Sequence, residues 1–260
     1  MAEQDQVIVI HGTLGELTLA LARRIAEQGA AVVVGGSDAD EGARLLDAVE
    51  SRGGRATFLH MEGDDDTSAQ ALASEAVMSF GSIDGLVNVL PESTPQDALD
   101  ESLDTWDESV TRPLRAAWSV SRHVAPFLAK SKNASIVNVL PLDPRHPGRD
   151  QSLGAALSGA LWGLTRALAR DLGPAGIRVN AVAVGVIETE SWRQAWKGRP
   201  DAGRSFDELL RAHPLRRLGR PKDVARAVLF LLGSDSSFLT GSIVPLDGGA
   251  RLVSGEHGDV

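Results

Sequence analysis

Short runs rich in aliphatic and β-branched residues alternate along the chain with longer stretches in which apolar residues recur every three or four positions. The short runs are Val7 to Ile10, Ala31 to Val34, Ala56 to His60, Gly85 to Leu90, Ala134 to Leu140, Ile177 to Val182 and Ser242 to Leu246. They lack the polar alternation of a half-exposed strand, so they predict strands buried on both faces. Between them, Leu17, Ala20, Leu21, Arg24 and Ile25 set a helical period, and helices are predicted from about Asp40 to Ser51, Ser68 to Phe80, Leu103 to Lys130, Gly154 to Leu172 and Val224 to Leu232. Strand and helix in alternation predict right-handed crossovers and a parallel sheet with helices on both sides. Glu188 to Arg220 shows no sustained period and predicts a looser segment. No repeat, linker or low-complexity tract divides the chain, so residues 1–260 are expected to form one domain.

The stretch from Gly154 is the most unusual. Leu157, Leu161, Leu164, Leu168 and Leu172 form one stripe, but the opposite side offers Ala155, Gly159, Ala160, Trp162, Gly163 and Ala167 instead of charge. A helix that is apolar or small on nearly every side is expected to be buried on nearly every side. Gly173-Pro174 then stops it.

Composition narrows the functional classes. A formal net charge of −9 argues against nucleic acid or an anionic membrane as the partner. With Cys 0, disulfides, thiolate zinc sites and cysteine nucleophiles are excluded. The start, MAEQDQVIVIHG, has no basic leader or long apolar run, and the expected compartment is the cytoplasm.

The segments VIVIHG, FGSIDGLVN, SIVNV, LTRALARDLGPAGIRVNAVAVGVIET, LGRPKDVARAVLFL and LTGSIVPLDGG, in that order, resemble the short-chain dehydrogenase/reductase family over nearly the whole length. The resemblance implies a Rossmann-like, doubly wound, parallel seven-stranded sheet. It also implies a dinucleotide site within 1–90, a catalytic region within 105–160 and a substrate lid within 188–220. At each of these the chain departs from the family pattern.

The family's phosphate loop reads Thr-Gly-x-x-x-Gly-x-Gly, and here His11-Gly12-Thr13-Leu14-Gly15-Glu16-Leu17-Thr18 aligns with it, keeping only the first of three glycines. Gly15 falls one place early. Glu16 brings a negative charge to the place of a diphosphate, and like charges about 4 Å apart in a partly screened site repel by roughly 4 kcal/mol, about three orders of magnitude in affinity. Glu16 also suits the first turn of a helix, where it answers the dipole and could occupy the anion site from within. Asp38 could reach a ribose but is better explained as a helix N-cap. Glu62-Gly63 stands where the family holds adenine with Asp-Val, and of Asn88-Val89-Leu90-Pro91 only Asn88 fits the family's Asn-Asn-Ala-Gly. Asp64, Asp65 and Asp66 read as a solvated helix start and no metal is expected. No cofactor is expected on this chain.

The family's catalytic Ser, Tyr, Lys and supporting Asn fall on Pro141, Gly154, Ser158 and Pro113. None of these can supply a proton or charge near neutrality, Ser158 having only a weakly acidic hydroxyl. Composition makes the point independently of alignment, since the chain has Tyr 0. A non-catalytic chain is expected. Replacement acid/base groups would be His146 with Asp143 or Asp150, or His11, in a cofactor-independent isomerase or lyase; a third reading is a ligand sensor. Trp192 and Trp196 at helical spacing in the lid read as packing residues.

The resemblance further implies assembly through the helices carrying Pro113 and Gly154. Gly159 and Gly163 permit close approach, Trp118 and Trp162 are candidate interface anchors, and an uncovered apolar face calls for a second subunit. The expected partner is an active homologue that carries NAD, in a heterotetramer. The family includes a two-subunit dehydrogenase of a hydroxyacyl-CoA whose inactive subunit resembles this chain.

Overall fold

The computed structural model describes residues 6–61, 66–90, 99–141, 144–145, 150–197 and 202–253. The seven apolar runs become seven strands, β1 Val7–Gly12, β2 Ala31–Gly36, β3 Arg55–His60, β4 Gly85–Val89, β5 Ser135–Leu140, β6 Arg178–Val184 and β7 Ile243–Leu246. They form one sheet in the order β3-β2-β1-β4-β5-β6-β7, every pair parallel. Because side chains alternate across a strand, one run of apolar residues feeds two cores. Ile8, Ile10, Val32 and Val34 pack beneath α1 Glu16–Ala26, α2 Ala39–Glu50 and α9 Pro221–Leu232. Val7, Val9, Ala31 and Val33 pack beneath α3 Asp66–Phe80, α5 Arg112–Leu128 and the end of α6 Ser152–Leu172. Chain order reverses between β1 and β4, and the crevice beyond their carboxyl ends is the switch point at which doubly wound folds take ligands.

Three expectations are corrected. The helix from Leu103 to Lys130 is interrupted: α4 Leu103–Trp106 leads into a π-helical turn, Asp107–Thr111, before α5 begins. The wider turn moves the preceding carbonyls out of line with the Pro113 ring, so the proline sits at the start of α5 without breaking a regular ladder. The looser segment contains two short helices, α7 Glu190–Lys197 and α8 Ala202–Arg211. Finally, α6 is buried on one side only. Leu157, Ser158, Leu161 and Thr165 are enclosed, whereas Gly159, Gly163 and Ala167 are exposed, because among the described residues no helix lies across the small-residue side.

Arg178 is the buried charge that ties the far end of the sheet together. It is 8% exposed, and its guanidinium donates to the carbonyl oxygens of Leu231, Leu232, Gly233 and Ser236, to Ser236 Oγ and to Asn133 Oδ1. These carbonyls lie at or just beyond the C-terminus of α9, where a cation opposes the negative end of the dipole. Burial pushes the guanidinium pKa down from its ordinary value. Arg178→Ala removes all of these buried charge-assisted bonds at once and is expected to destabilise the protein by about 3 kcal/mol, a fall in Tm of roughly 10 °C that thermal unfolding would register.

Candidate active site at the switch point

The crevice is built on a row of buried polar side chains. His11 at the end of β1, Asn88 on β4 and Asn138 on β5 lie in register across the sheet. His11 Nδ1 lies 3.2 Å from Asn88 Oδ1, which can only accept, so the ring carries its proton on Nδ1. Asn88 Nδ2 donates to Asn138 Oδ1 at 2.8 Å, and Asn138 Nδ2 donates to Thr165 Oγ1 on α6 at 2.9 Å. Thr165 closes the row on the Leu161 carbonyl oxygen at 2.7 Å, and Ser121 on α5 meets Asn88 at 3.4 Å. His11 is thus a buried member of a structural row rather than a free base at the rim.

The phosphate loop is folded onto itself. Gly12 has φ +121°, and a Cβ there would lie 2.0 Å from the Val89 carbonyl oxygen, which the Thr13 N–H occupies at 2.9 Å. Gly15, at φ +145°, precedes α1 and supplies the backbone turn from a position one residue earlier than the family pattern. Thr18 is buried, and its hydroxyl donates to the Thr13 carbonyl oxygen, closing the loop from within. Leu14 lies over Gly36 at the end of β2, so close that a Cβ on Gly36 would come within 2.7 Å of Leu14 Cγ. That strand end is where doubly wound folds meet the ribose of a dinucleotide. Glu16 is exposed, and its Oε1 accepts the Glu190 N–H of α7 at 2.5 Å. Water screens its charge, so repulsion of a diphosphate falls below the figure expected for a partly screened site.

The four catalytic positions are equally altered. Pro141 follows β5, and Pro113 is buried at the start of α5. Gly154 and Ser158 share the inward row of α6 with Leu161 and Thr165. Ser158 is 0% exposed and its Oγ has no hydrogen-bond partner. His146 and Asp143 lie outside the described residues, as do Glu62, Gly63, Asp64, Asp65 and Pro91. Asp38 caps α2, accepting the Glu41 N–H at 3.0 Å. Trp192 and Trp196 stack with centroids 5.1 Å apart, and Phe206 of α8 lies 6.3 Å from each.

Asp66 is more than a solvated helix start. It accepts from Ser119 Oγ at 2.5 Å, from His123 Nε2 at 2.9 Å and from Arg122, all on α5. Trp118 lies under the same guanidinium, 5.0 Å from the Arg122 carbon, and Trp162 lies 4.9 Å under Arg145. The pattern of acidic residues gave no hint of these bonds, because they join residues more than fifty positions apart.

A glycine-bearing turn at the switch point of a doubly wound sheet is the layout of a dinucleotide-binding fold. The chain belongs to the short-chain dehydrogenase/reductase family: residues 16–251 match the family model described as enoyl-(acyl carrier protein) reductase. It is 31% identical over 255 residues to the (2S)-[(R)-hydroxy(phenyl)methyl]succinyl-CoA dehydrogenase subunit BbsD of Thauera aromatica, covering 98% of this chain and 100% of that protein. It is 30% identical over 251 residues to the 3-oxoacyl-[acyl-carrier-protein] reductase FabG of Thermotoga maritima, covering 96% and 99%. Among solved structures, the apo form of a short-chain oxidoreductase from Pseudomonas aeruginosa PAO1 containing an atypical catalytic center superposes with a TM-score of 0.88 at 26% identity, covering 94% of this chain and 96% of that one. No described helix is long and apolar enough to cross a membrane.

Two outcomes follow from this geometry. Gly12→Ala forces a Cβ against the Val89 carbonyl at a backbone angle that alanine resists, and is expected to destabilise the protein by about 3 kcal/mol with no cofactor present, measured by chemical unfolding. The bonds to Ser119, His123 and Arg122 hold the Asp66 carboxyl down at about 2 from an ordinary 3.8. A depressed folded pKa gives stability that is complete above the unfolded value and disappears as pH falls through the folded one. Asp66→Asn is therefore expected to lower Tm at pH 7, with the difference from the unsubstituted protein closing between about pH 4 and pH 2.

Proposed function

We propose that this chain is a non-catalytic member of its family that binds no nicotinamide dinucleotide and assembles with an active, NAD-carrying homologue in a heterotetramer. One observation carries the reading: with Tyr 0 in the chain, no register and no conformational change can place a phenol where the family protonates its substrate. Gly154 and Ser158 stand at the Tyr and Lys positions, and Pro141 and Pro113 at the other two. The cofactor side of the crevice supports it, since the Thr18 hydroxyl and the Glu16 carboxylate are turned on the protein's own backbone and Leu14 fills the end of β2. Residues that would cradle a diphosphate do not fit one here.

The case for assembly rests on the open side of α6. At Gly163 nothing lies within 4 Å of a Cβ position, Gly159 is exposed, and Trp118 is 43% exposed on α5 beside it. Two exposed glycines four apart permit another backbone to come close. The Thauera relative is named as one subunit of a hydroxyacyl-CoA-type dehydrogenase. We take an NAD-dependent dehydrogenase of that class, acting in aromatic hydrocarbon catabolism, as the working partner.

Calorimetric titration with NAD(H) and NADP(H), run with native mass spectrometry after co-expression with such a homologue, tests the reading. The expected result is no binding heat and a mixed oligomer. Micromolar cofactor affinity with turnover by the purified chain would overturn it, and would place this protein beside the Pseudomonas oxidoreductase with its atypical centre, for which an NADPH-bound structure is known.

A further inference from the structure

The lid segment is anchored at its base by backbone bonds: Glu188 N–H donates to the Gly219 carbonyl oxygen at 2.8 Å, and Gly219 N–H donates to the Val186 carbonyl oxygen at 3.0 Å. The lid helix α7 begins two residues later. The first N–H groups of a helix have no acceptor within it. Trp192 N–H finds Thr189 Oγ1 at 3.1 Å, an ordinary local cap. Glu190 N–H goes elsewhere, to Glu16 Oε1 on the phosphate loop, across 174 positions of sequence.

Glu16 is itself the first residue of α1, so one carboxylate stands between the positive ends of two helices. Arg193 pairs with Glu188 at 3.1 Å and with Glu190 at 2.8 Å, which fixes the first turn of α7 around the bonded amide. The stack of Trp192 on Trp196, with Phe206 against both, then carries that position into α8.

We infer that Glu16 is a built-in latch: its carboxylate holds the N-terminus of α7 against the phosphate loop, keeping the lid closed over the crevice with no nucleotide bound. The loop end of α1 thereby has a resident anion, supplied by the chain. This holds whether or not the protein assembles with a homologue, so it goes beyond the function proposed above. It also assigns Glu16 a part that the loss of a glycine does not: it joins two segments 174 positions apart.

Hydrogen–deuterium exchange of the full chain, followed at peptides covering Glu190–Lys197, tests the latch. In Glu16→Ala the exchange of these amides is expected to rise about fivefold, as for loss of one charge-assisted bond at the surface. Inorganic phosphate should slow it again by returning an anion to the two helix ends. Glu16→Gln keeps an acceptor oxygen without the charge, and the rise should be smaller. Peptides from α9 serve as the internal reference and should not change. Exchange in α7 that stays within about 1.5-fold of the unsubstituted protein in Glu16→Ala would overturn the latch, given the expected loss of one bond. So would a rise shared equally by α9, which would mean that Glu16 acts on overall stability. Neither result bears on cofactor binding or turnover, which the titration decides separately.

Discussion

The rest of the molecule depends on the hydrogen-bonded row from His11 through Asn88 and Asn138 to Thr165. An amide buried without partners costs on the order of 1–3 kcal/mol, so each member holds its neighbour to one register. Through this row β1, β4, β5 and α6 are fixed relative to one another at the carboxyl end of the sheet. Gly12 completes the arrangement by lying flat against Val89. All of these contacts are internal, and none calls for a ligand. The chain alone therefore holds the crevice as architecture.

This separates the family features that survive here from those that do not. Gly12, Asn88, Asn138 and Arg178 answer to packing and to buried hydrogen bonds, and each has a full set of partners within the chain. The positions aligned with the family's catalytic residues carry Pro113, Pro141, Gly154 and Ser158. Thr18 serves the loop, Glu16 serves the lid, and the Ser158 hydroxyl serves nothing, an orphan buried where a lysine would have reached out. Pro113 belongs with the tolerated losses, since the π-helical turn before it relieves the strain that a regular helix would impose.

The seven strands and most helices could be read from the sequence because they depend on local periodicity, which the aliphatic runs state plainly. The absence of tyrosine was equally legible, since it needs only the composition. What escaped was everything set by distant pairs or by space. The two lid helices carry few apolar residues and are held by an aromatic stack, so their period was faint. The bond from Glu16 to Glu190 joins segments 174 residues apart. Pro113 marks the break before α5, but the change of helical pitch that precedes it is announced by no residue type. The open side of α6 looked buried because small residues usually mark close packing, and no described helix packs there.

Leu14 over Gly36 gives the cofactor half of the crevice a direction in time. Under the reading proposed above, restoring a glycine at position 16 would remove the latch and still leave the ribose end filled, and trimming Leu14 alone would leave the loop closed on Thr18. On that reading, no single reversal would bring back nucleotide binding. If the proposed reading holds, these contacts act together as a ratchet, and the route back to a dehydrogenase crosses several of them at once.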